Sequence, residues 1–301
     1  MIVNEISQNT YINIPYSNCP YRVYLAKNSS KNQGDTFEKQ KAPYSVENSA
    51  DNFASDLFEL MNSGKFNKDN VRQLARQYVP RTKVEDNWEK LFASGCAAQF
   101  VYNSHISNNN KKHYPRKKII VNMNVIESKP SDLFNSIVHE MVHNLQLNKE
   151  KKVFNTIYSD YFEDSLNLHK ACSNLFDKGM AHGSKMIGEN FNNTFGVFKF
   201  SERENYKAVK NKNVDKFVNN PEKRSDLIQI YDLAVLNLLS QEEEAYTMAD
   251  IFEYKYFNTQ NKRAKKNERL FRDLKEIVED DLKKSGMSEK KIKEYKDLIG
   301  W

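Results

Sequence analysis

The pentapeptide His139-Glu140-Met141-Val142-His143 restricts the structure of this chain more than any other segment. It has the pattern H-E-x-x-H, and residues four apart lie on one face of an α-helix, so both imidazoles can reach one cation. Glu140 is offset from the two histidines on that helix, where it can hold a water that the metal polarises. We therefore expect a helix with two zinc ligands and a general base.

The residues around this motif favour a buried helix that follows a strand. Ser131 comes directly after Pro130 and predicts a helix from there to about residue 148. Residues 118–126 alternate apolar and polar side chains, as in a strand with one buried face. Apolar side chains also occupy the helix faces that turn away from the histidines, namely Phe134, Ile137, Val138, Met141 and Leu145. A surface helix with two accidental histidines would not need such apolar flanks.

A catalytic zinc ion usually has three protein ligands and keeps its fourth position for water. The candidates for the third ligand lie in the segment 240–250, which contains three consecutive glutamates. Glu242 is followed on its helix face by Ala245 and Ala249, whose small side chains would let this helix approach the histidine helix closely. This pattern favours Glu242. The alternatives that stay open are Glu244, His169, His182 and an acidic residue between residues 155 and 219.

The H-E-x-x-H motif followed downstream by Glu242-x-x-Ala245 resembles the gluzincin metallopeptidases. The segment Glu242-x-Glu244-Ala245-x-x-x-Ala249 is similar to the glutamate helix of the ImmA/IrrE-type peptidases and of lethal-factor-type toxins. The resemblance covers residues 117–148 and 240–256. It implies a zinc ligand at Glu242, an upstream edge strand that binds extended substrate, and a compact helical, zincin-like domain with a small sheet.

On that interpretation the strand 118–126 pairs with the substrate backbone along an exposed edge, and Asn122 and Asn124 on its polar face are substrate-binding candidates. A plain internal strand is the alternative. Gln146 lies on the histidine face of its helix, where it can hydrogen-bond a metal ligand or the substrate. Tyr246, one turn beyond Glu242, is the preferred stabiliser of the developing oxyanion. The other candidates for that role are Tyr231 and His182.

The apolar periodicity predicts an α+β protein that is mostly helical, with a small sheet and the H-E-x-x-H motif on its active-site helix. We expect an irregular N-terminal extension over 1–50, a zincin-like metallopeptidase domain over 51–258, and a C-terminal helical extension over 259–301 that packs on this domain. The predicted strands are 97–102, 118–126 and, less regularly, 21–25 and 194–200. A helix predicted to begin at Pro221, after Asn220 as its N-cap, continues through Ala249 as one long helix or two that abut at Ser240.

Composition and charge exclude several classes of protein. The net charge of +6 comes from 46 basic and 40 acidic residues, a small excess that does not predict nucleic-acid binding. No segment has the roughly 18 apolar residues of a membrane span, and no secretory signal is apparent, so we expect a cytoplasmic protein or one exported to a host cell without a classical signal peptide. Cys19, Cys96 and Cys172 form no disulfide framework, although Cys19 is a candidate zinc ligand in a latent form.

These features together predict a metalloendopeptidase that binds one Zn²⁺ per chain. His139, His143 and Glu242 would hold the metal, and Glu140 and Tyr246 would be catalytic. A protein or peptide substrate would be cut by a zinc-bound water that Glu140 activates. The alternative is a non-catalytic zinc-binding or partner-binding helical module, for example a host-directed bacterial effector, in which the basic residues from Lys262 to Lys266 contact an acidic partner.

Overall fold

A computed structural model describes residues 46–87, 97–103, 116–126, 129–161, 166–191, 200–217, 223–259 and 262–300. All of them belong to one unit, Tyr44–Trp301. Some sequence predictions concern other residues or side chains and lie outside this description. They are Cys19, Cys96, the strands at 21–25 and 194–199, and the side chains of His169 and of Lys262 to Lys266.

Within the described residues the chain is mostly helical and has one small sheet, which confirms the expected balance of secondary structure. The helices are α1 (Val46–Asn62), α2 (Lys68–Tyr78), α3 (Pro130–Tyr161), α4 (Leu166–Phe191), α5 (Phe200–Val214), α6 (Arg224–Phe257), α7 (Lys262–Lys284) and α8 (Glu289–Ile299). The strands are β1 (Lys83–Asp86), β2 (Ala98–Asn103) and β3 (Arg116–Val121), and a 3₁₀-helix spans Met123–Ile126. None of the described helices is long and apolar enough to cross a lipid bilayer.

Helix α3 carries the H-E-x-x-H motif and is longer than the sequence predicted. It begins at Pro130, where a proline costs no hydrogen bond because the first helical N–H has no partner in the helix. It continues to Tyr161 instead of ending near residue 148. The polar run after residue 147 suggested an end, but Val153 and Ile157 bury their side chains in a second core and extend the helix.

Helix α6 is continuous through Ser240, so the alternative of two abutting helices is wrong. It ends at Phe257, and the next residue, Asn258, caps it with a left-handed backbone (φ 51°) and an N–H that donates to the carbonyl of Tyr254. Helix α4 packs closely against the first part of α6. A Cβ atom on Gly179 of α4 would lie only 2.7 Å from the Cβ atom of Ala234 of α6. Glycine at this position therefore permits the tight packing of α4 on α6.

Helices α3 and α6 pack against each other in opposite directions. Asn135 near the start of α3 donates to the carboxylate of Glu253 near the end of α6, at 2.8 Å. About three turns further along α3, the amide of Gln146 donates to Glu244, which lies earlier in α6, at 2.9 Å. This antiparallel arrangement places the middle of α3, which contains the two histidines, beside residues 242–246 of α6.

Two hydrophobic cores lie on either side of this crossing. One is formed by α1, α2, the sheet, the first half of α3 and the end of α6, with Phe53, Leu57 and Phe134 among its fully buried residues. The other joins the second half of α3 to α4, α5, the first half of α6, α7 and α8. Both long helices contribute to both cores, so their relative position is set along most of their length.

The sheet has the order β1-β3-β2, with β1 parallel and β2 antiparallel to β3. The predicted exposed edge at 118–126 is therefore wrong, because β3 is the central strand and ends at Val121. The apolar residues that continued the alternation, Met123 and Val125, lie in the 3₁₀-helix. Strand β1 was not predicted, since four residues with one buried side chain, Val84, give no recognisable alternation.

Candidate metal centre

His139 and His143 lie one helical turn apart on α3 and direct their rings to the same point. Their Nε2 atoms are 3.0 Å apart, and their ring centroids are 4.6 Å apart. His139 is 7% exposed, and His143 is partly exposed. Two ring nitrogens at this separation suit a shared cation, which needs the lone pairs of both neutral imidazoles.

Glu242 on α6 completes a group of three. Its Oε2 atom is 3.4 Å from the Nε2 atom of His139 and 3.4 Å from that of His143. Among the described residues, these three side chains are the ones that converge as possible metal ligands. Tetrahedral zinc with bonds of about 2.0–2.1 Å separates its ligand atoms by about 3.3–3.4 Å. The two distances to Glu242 have this value and the distance between the two Nε2 atoms, 3.0 Å, is slightly shorter, so two imidazoles and a carboxylate form a donor set that suits this ion.

The other two glutamates of the triplet point elsewhere. Glu244 accepts hydrogen bonds from Gln146 at 2.9 Å and from Lys149 at 3.5 Å. Glu243 pairs with the buried ammonium group of Lys275 on α7. The structure thus brings Glu242, and neither neighbour, to the two histidines. His182, the remaining alternative with a described side chain, lies in a separate buried cluster with Tyr231.

Gln146 holds His143 in place. Its side-chain carbonyl oxygen is 3.0 Å from Nδ1 of His143, so it accepts a hydrogen bond from the Nδ1–H group and leaves Nε2 facing Glu242. Its amide nitrogen donates to the carbonyl of Gln241 at 3.1 Å and to Glu244. Gln146 is only 1% exposed, and its contact with His143 is the first of the two roles that the sequence left open, whereas a contact with substrate stays a prediction.

Tyr246 packs against His139, with ring centroids 4.3 Å apart. This contact helps to hold the imidazole, and an oxyanion-stabilising role for the tyrosine stays a prediction. The alternatives Tyr231 and His182 hydrogen-bond each other at 2.8 Å and are both buried. Nδ1 of His139 is buried and has no hydrogen-bond partner in the described part of the chain.

The charges of His143 and Glu242 depend strongly on each other. Burial lowers the pKa of His143, but the carboxylates of Glu242 and Glu140 and the hydrogen bonds that the ring donates to Glu242 and Gln146 outweigh it and raise the pKa to about 9. Burial likewise opposes ionisation of Glu242, yet the charge and hydrogen bonds of the two histidines hold the pKa of Glu242 well below its usual value. Without a metal ion, the site therefore holds the ionised carboxylate of Glu242 beside the protonated imidazolium of His143.

Glu140 is half-buried beside this group, and its charge is among the causes that raise the pKa of His143. Its Oε2 atom accepts a hydrogen bond from the backbone N–H of Phe100 on β2, at 2.6 Å. Strand β2 is an edge strand, and its other side has no strand beside it among the described residues. The strand edge next to the site therefore belongs to β2, and the sequence prediction named β3.

Asn122 and Asn124 accordingly have a local role. The N–H of Asn124 donates to the side-chain oxygen of Asn122 at 3.2 Å, which caps the turn into the 3₁₀-helix. Asn122 also donates its backbone N–H to the carbonyl of Ala97 at 2.9 Å and so ends the pairing of β2 with β3. These contacts explain the two asparagines without a bound substrate.

Sequence reasoning missed two contributors to the site. The N–H of Phe100 is a backbone group, which no side-chain pattern reveals. Glu244 was considered only as a ligand, although it is the partner of Gln146. No local spacing signals the second contact, because Gln146 and Glu244 lie on different helices, 98 residues apart in the sequence.

Comparison with protein-family models, with curated proteins and with solved structures gives no match for this chain. The resemblance to gluzincins therefore depends on the residues themselves. The residues that resemble gluzincins are the motif from His139 to His143 and the helix that contains Glu242. The geometry that supports a function is the convergence of His139, His143 and Glu242.

Proposed function

We propose that this chain is a zinc-dependent metalloendopeptidase. The observation that carries the proposal is the convergence of three donor atoms, from His139, His143 and Glu242, at separations of 3.0, 3.4 and 3.4 Å. Two of them come from adjacent turns of α3 and the third comes from α6, about 100 residues later. Such a group is costly to assemble in a buried place unless a cation or a proton compensates the carboxylate.

When bound, zinc acts as a Lewis acid and brings the pKa of a coordinated water to about 7. Glu140 supports hydrolysis because its carboxylate lies next to the metal ligands without being one of them. A carboxylate in that position takes a proton from the attacking water and later delivers it to the leaving amine. Gln146 keeps the Nε2 atom of His143 free to bind the metal.

A peptide substrate is supported by the open edge of β2. An extended peptide can add to a free strand edge through backbone hydrogen bonds, which recognise a polypeptide of any sequence. The contact between Glu140 and Phe100 places this edge directly beside the candidate base. A strand edge favours cleavage within a chain, because it makes no demand for a free terminus.

Metal analysis of the purified protein tests the proposal. We expect about one zinc ion per chain in the wild type. His139→Ala and Glu242→Gln should lower the zinc content severely, because each removes or weakens a donor. Glu244→Gln is the matched control, since it lies two residues from Glu242 on the same helix, keeps an acceptor for Gln146 and should retain zinc.

Two results would count against the proposal. A wild-type protein that binds no zinc would contradict it outright. A protein that binds zinc at these residues but cleaves no protein substrate, in a proteome-wide search for new termini, would favour the non-catalytic module instead. In that case Glu140→Ala and wild type would give the same set of termini.

The affinity for zinc should depend on pH. His143 must lose its proton to bind the metal, and its pKa of about 9 means that it is protonated at neutral pH in the metal-free protein. The apparent affinity should therefore rise by up to about tenfold for each pH unit and level off near pH 9. Titration against a chelator of known affinity between pH 6 and 10 measures this dependence.

Glu242→Gln supplies the control for this prediction. Removing the carboxylate removes the main cause that raises the pKa of His143, so the levelling should move to lower pH even though the overall affinity falls. A wild-type affinity that stays constant between pH 6 and 8 would show that His143 binds metal without releasing a proton.

A further inference from the structure

The hydrogen bonds of β2 show which of its backbone groups face the site. In an antiparallel pair, residues that exchange hydrogen bonds with the neighbouring strand alternate with residues whose N–H and C=O point away from it. The N–H of Asn122 donates to the carbonyl of Ala97 at 2.9 Å, and β2 and β3 keep one register from there, with Phe100 opposite Ile119. The backbone groups of Ala98, Phe100 and Tyr102 therefore point away from β3.

One of these outward groups is already in use. The N–H of Phe100 donates to Oε2 of Glu140 at 2.6 Å, a short hydrogen bond to an acidic side chain. The acceptor belongs to the residue that follows His139 on α3, so the bond links the sheet edge to the motif helix. We propose that the Phe100 N–H positions the Glu140 carboxylate for its role as base, an inference that rests on the proposed metallopeptidase function.

The physical reason is the freedom of a glutamate side chain. Glu140 is half-buried and has three rotatable bonds, so without a fixed partner its carboxylate would occupy several positions relative to the metal ligands. A backbone donor inside a paired strand moves little. The bond thus selects one carboxylate position and leaves the second oxygen, Oε1, for the proton transfer.

With this assignment, the outward backbone groups of β2 have two separate roles. An N–H group makes one good hydrogen bond, so the Phe100 N–H serves the base and is withheld from substrate. A bound peptide would use the Phe100 carbonyl and the outward groups of Ala98 and Tyr102. Loss of the Phe100 N–H should accordingly affect turnover, and loss of a neighbouring N–H should affect substrate binding.

Proline substitution removes one N–H at a time. Phe100→Pro deletes the donor to Glu140, and an edge strand tolerates proline where the N–H does not pair with the next strand. Phe100→Ala is the matched control, because it loses the same side chain and keeps the N–H. With casein as substrate, we expect kcat to fall about 10- to 100-fold in Phe100→Pro relative to Phe100→Ala, with KM changed less than about threefold and zinc content unchanged.

Tyr102→Pro removes the next outward N–H and should show the opposite pattern, a raised KM with kcat within about threefold. Equal losses of kcat in Phe100→Pro and Phe100→Ala would overturn the proposal, because the side chain would then be responsible. A rise in KM alone in Phe100→Pro would also overturn it, since the N–H would then serve the substrate.

Amide hydrogen exchange tests the contact independently of activity and of zinc. The Phe100 amide should exchange at least about tenfold faster in Glu140→Ala than in wild type, and it should remain slow in Glu140→Gln, whose carbonyl oxygen still accepts. Equal exchange rates in wild type and Glu140→Ala would exclude the bond. This result stands even if the protein proves not to be a peptidase, so failure of the contact and failure of the proposed function are distinguishable.

Discussion

Glu140→Gln is expected to lower kcat for protein hydrolysis by about 100- to 10,000-fold while the protein still binds about one zinc ion. The glutamine has the shape of the glutamate and keeps an acceptor for the Phe100 N–H, but it cannot take a proton from the attacking water. Glu140 is not among the three converging ligands, so the metal should stay. Turnover of a protein substrate and zinc content, measured on the same preparation, check the prediction.

Glu140→Ala separates the loss of the base from the loss of the contact. It should be as inactive as Glu140→Gln, although it also releases the Phe100 amide. Thermal unfolding should be nearly unchanged in Glu140→Gln, because the side chain is half-buried and its hydrogen bond survives. If Glu140→Gln remains fully active, the carboxylate is not the base and the proposed chemistry is wrong.

Lys210→Met is expected to reduce the free energy of unfolding by about 3–5 kcal/mol. The ammonium group of Lys210 on α5 lies 3.0 Å from Asp232 on α6 and 2.7 Å from Asp281 on α7. Tyr206 donates to the other oxygen of Asp232 at 2.5 Å. Asp232 is 0% exposed, so methionine would leave two buried carboxylates without their cation.

The loss should be greatest at neutral and alkaline pH. Burial raises the pKa of Asp232 to about 6, although Lys210 and Tyr206 lower it in part, and removing the lysine would raise it further. Because the folded-state pKa lies above the unfolded one, the folded state gains protons as the pH falls, and its stability relative to the unfolded state increases. Urea unfolding of Lys210→Met at pH 5 and pH 8 therefore should show the smaller deficit at pH 5.

Lys207→Met is the matched control on the same helix. Lys207 pairs with Glu204 at 3.0 Å, but both side chains are exposed, so the change should stay within about 0.5 kcal/mol. A Lys210→Met variant that is destabilised by less than about 1 kcal/mol would show that water reaches the two aspartates in place of the lysine.

Local sequence was sufficient for the features that a single helix or strand decides. Four-residue spacing places His139 and His143 on one helix face, and the apolar residues around them require that helix to be buried. The mostly helical composition with a small sheet also followed from periodicity, and the structure confirms it. The ends of helices were less predictable. Helix α3 continues past residue 148 because its later residues make apolar contacts with helices that are distant in the sequence.

Only the tertiary structure shows which of several neighbouring residues lies at the site. The sequence by itself favoured Glu242 but left Glu244, His169 and His182 open, and only the packing of α6 on α3 brings Glu242 to the two histidines and Glu244 to Gln146. The order of the strands in the sheet could not be predicted from the sequence either, because β3 has the same alternation whether it is central or at an edge. Spacing along one chain fixes the faces of a helix or strand, whereas the choice of neighbour depends on how separate elements pack, and no local pattern contains that information.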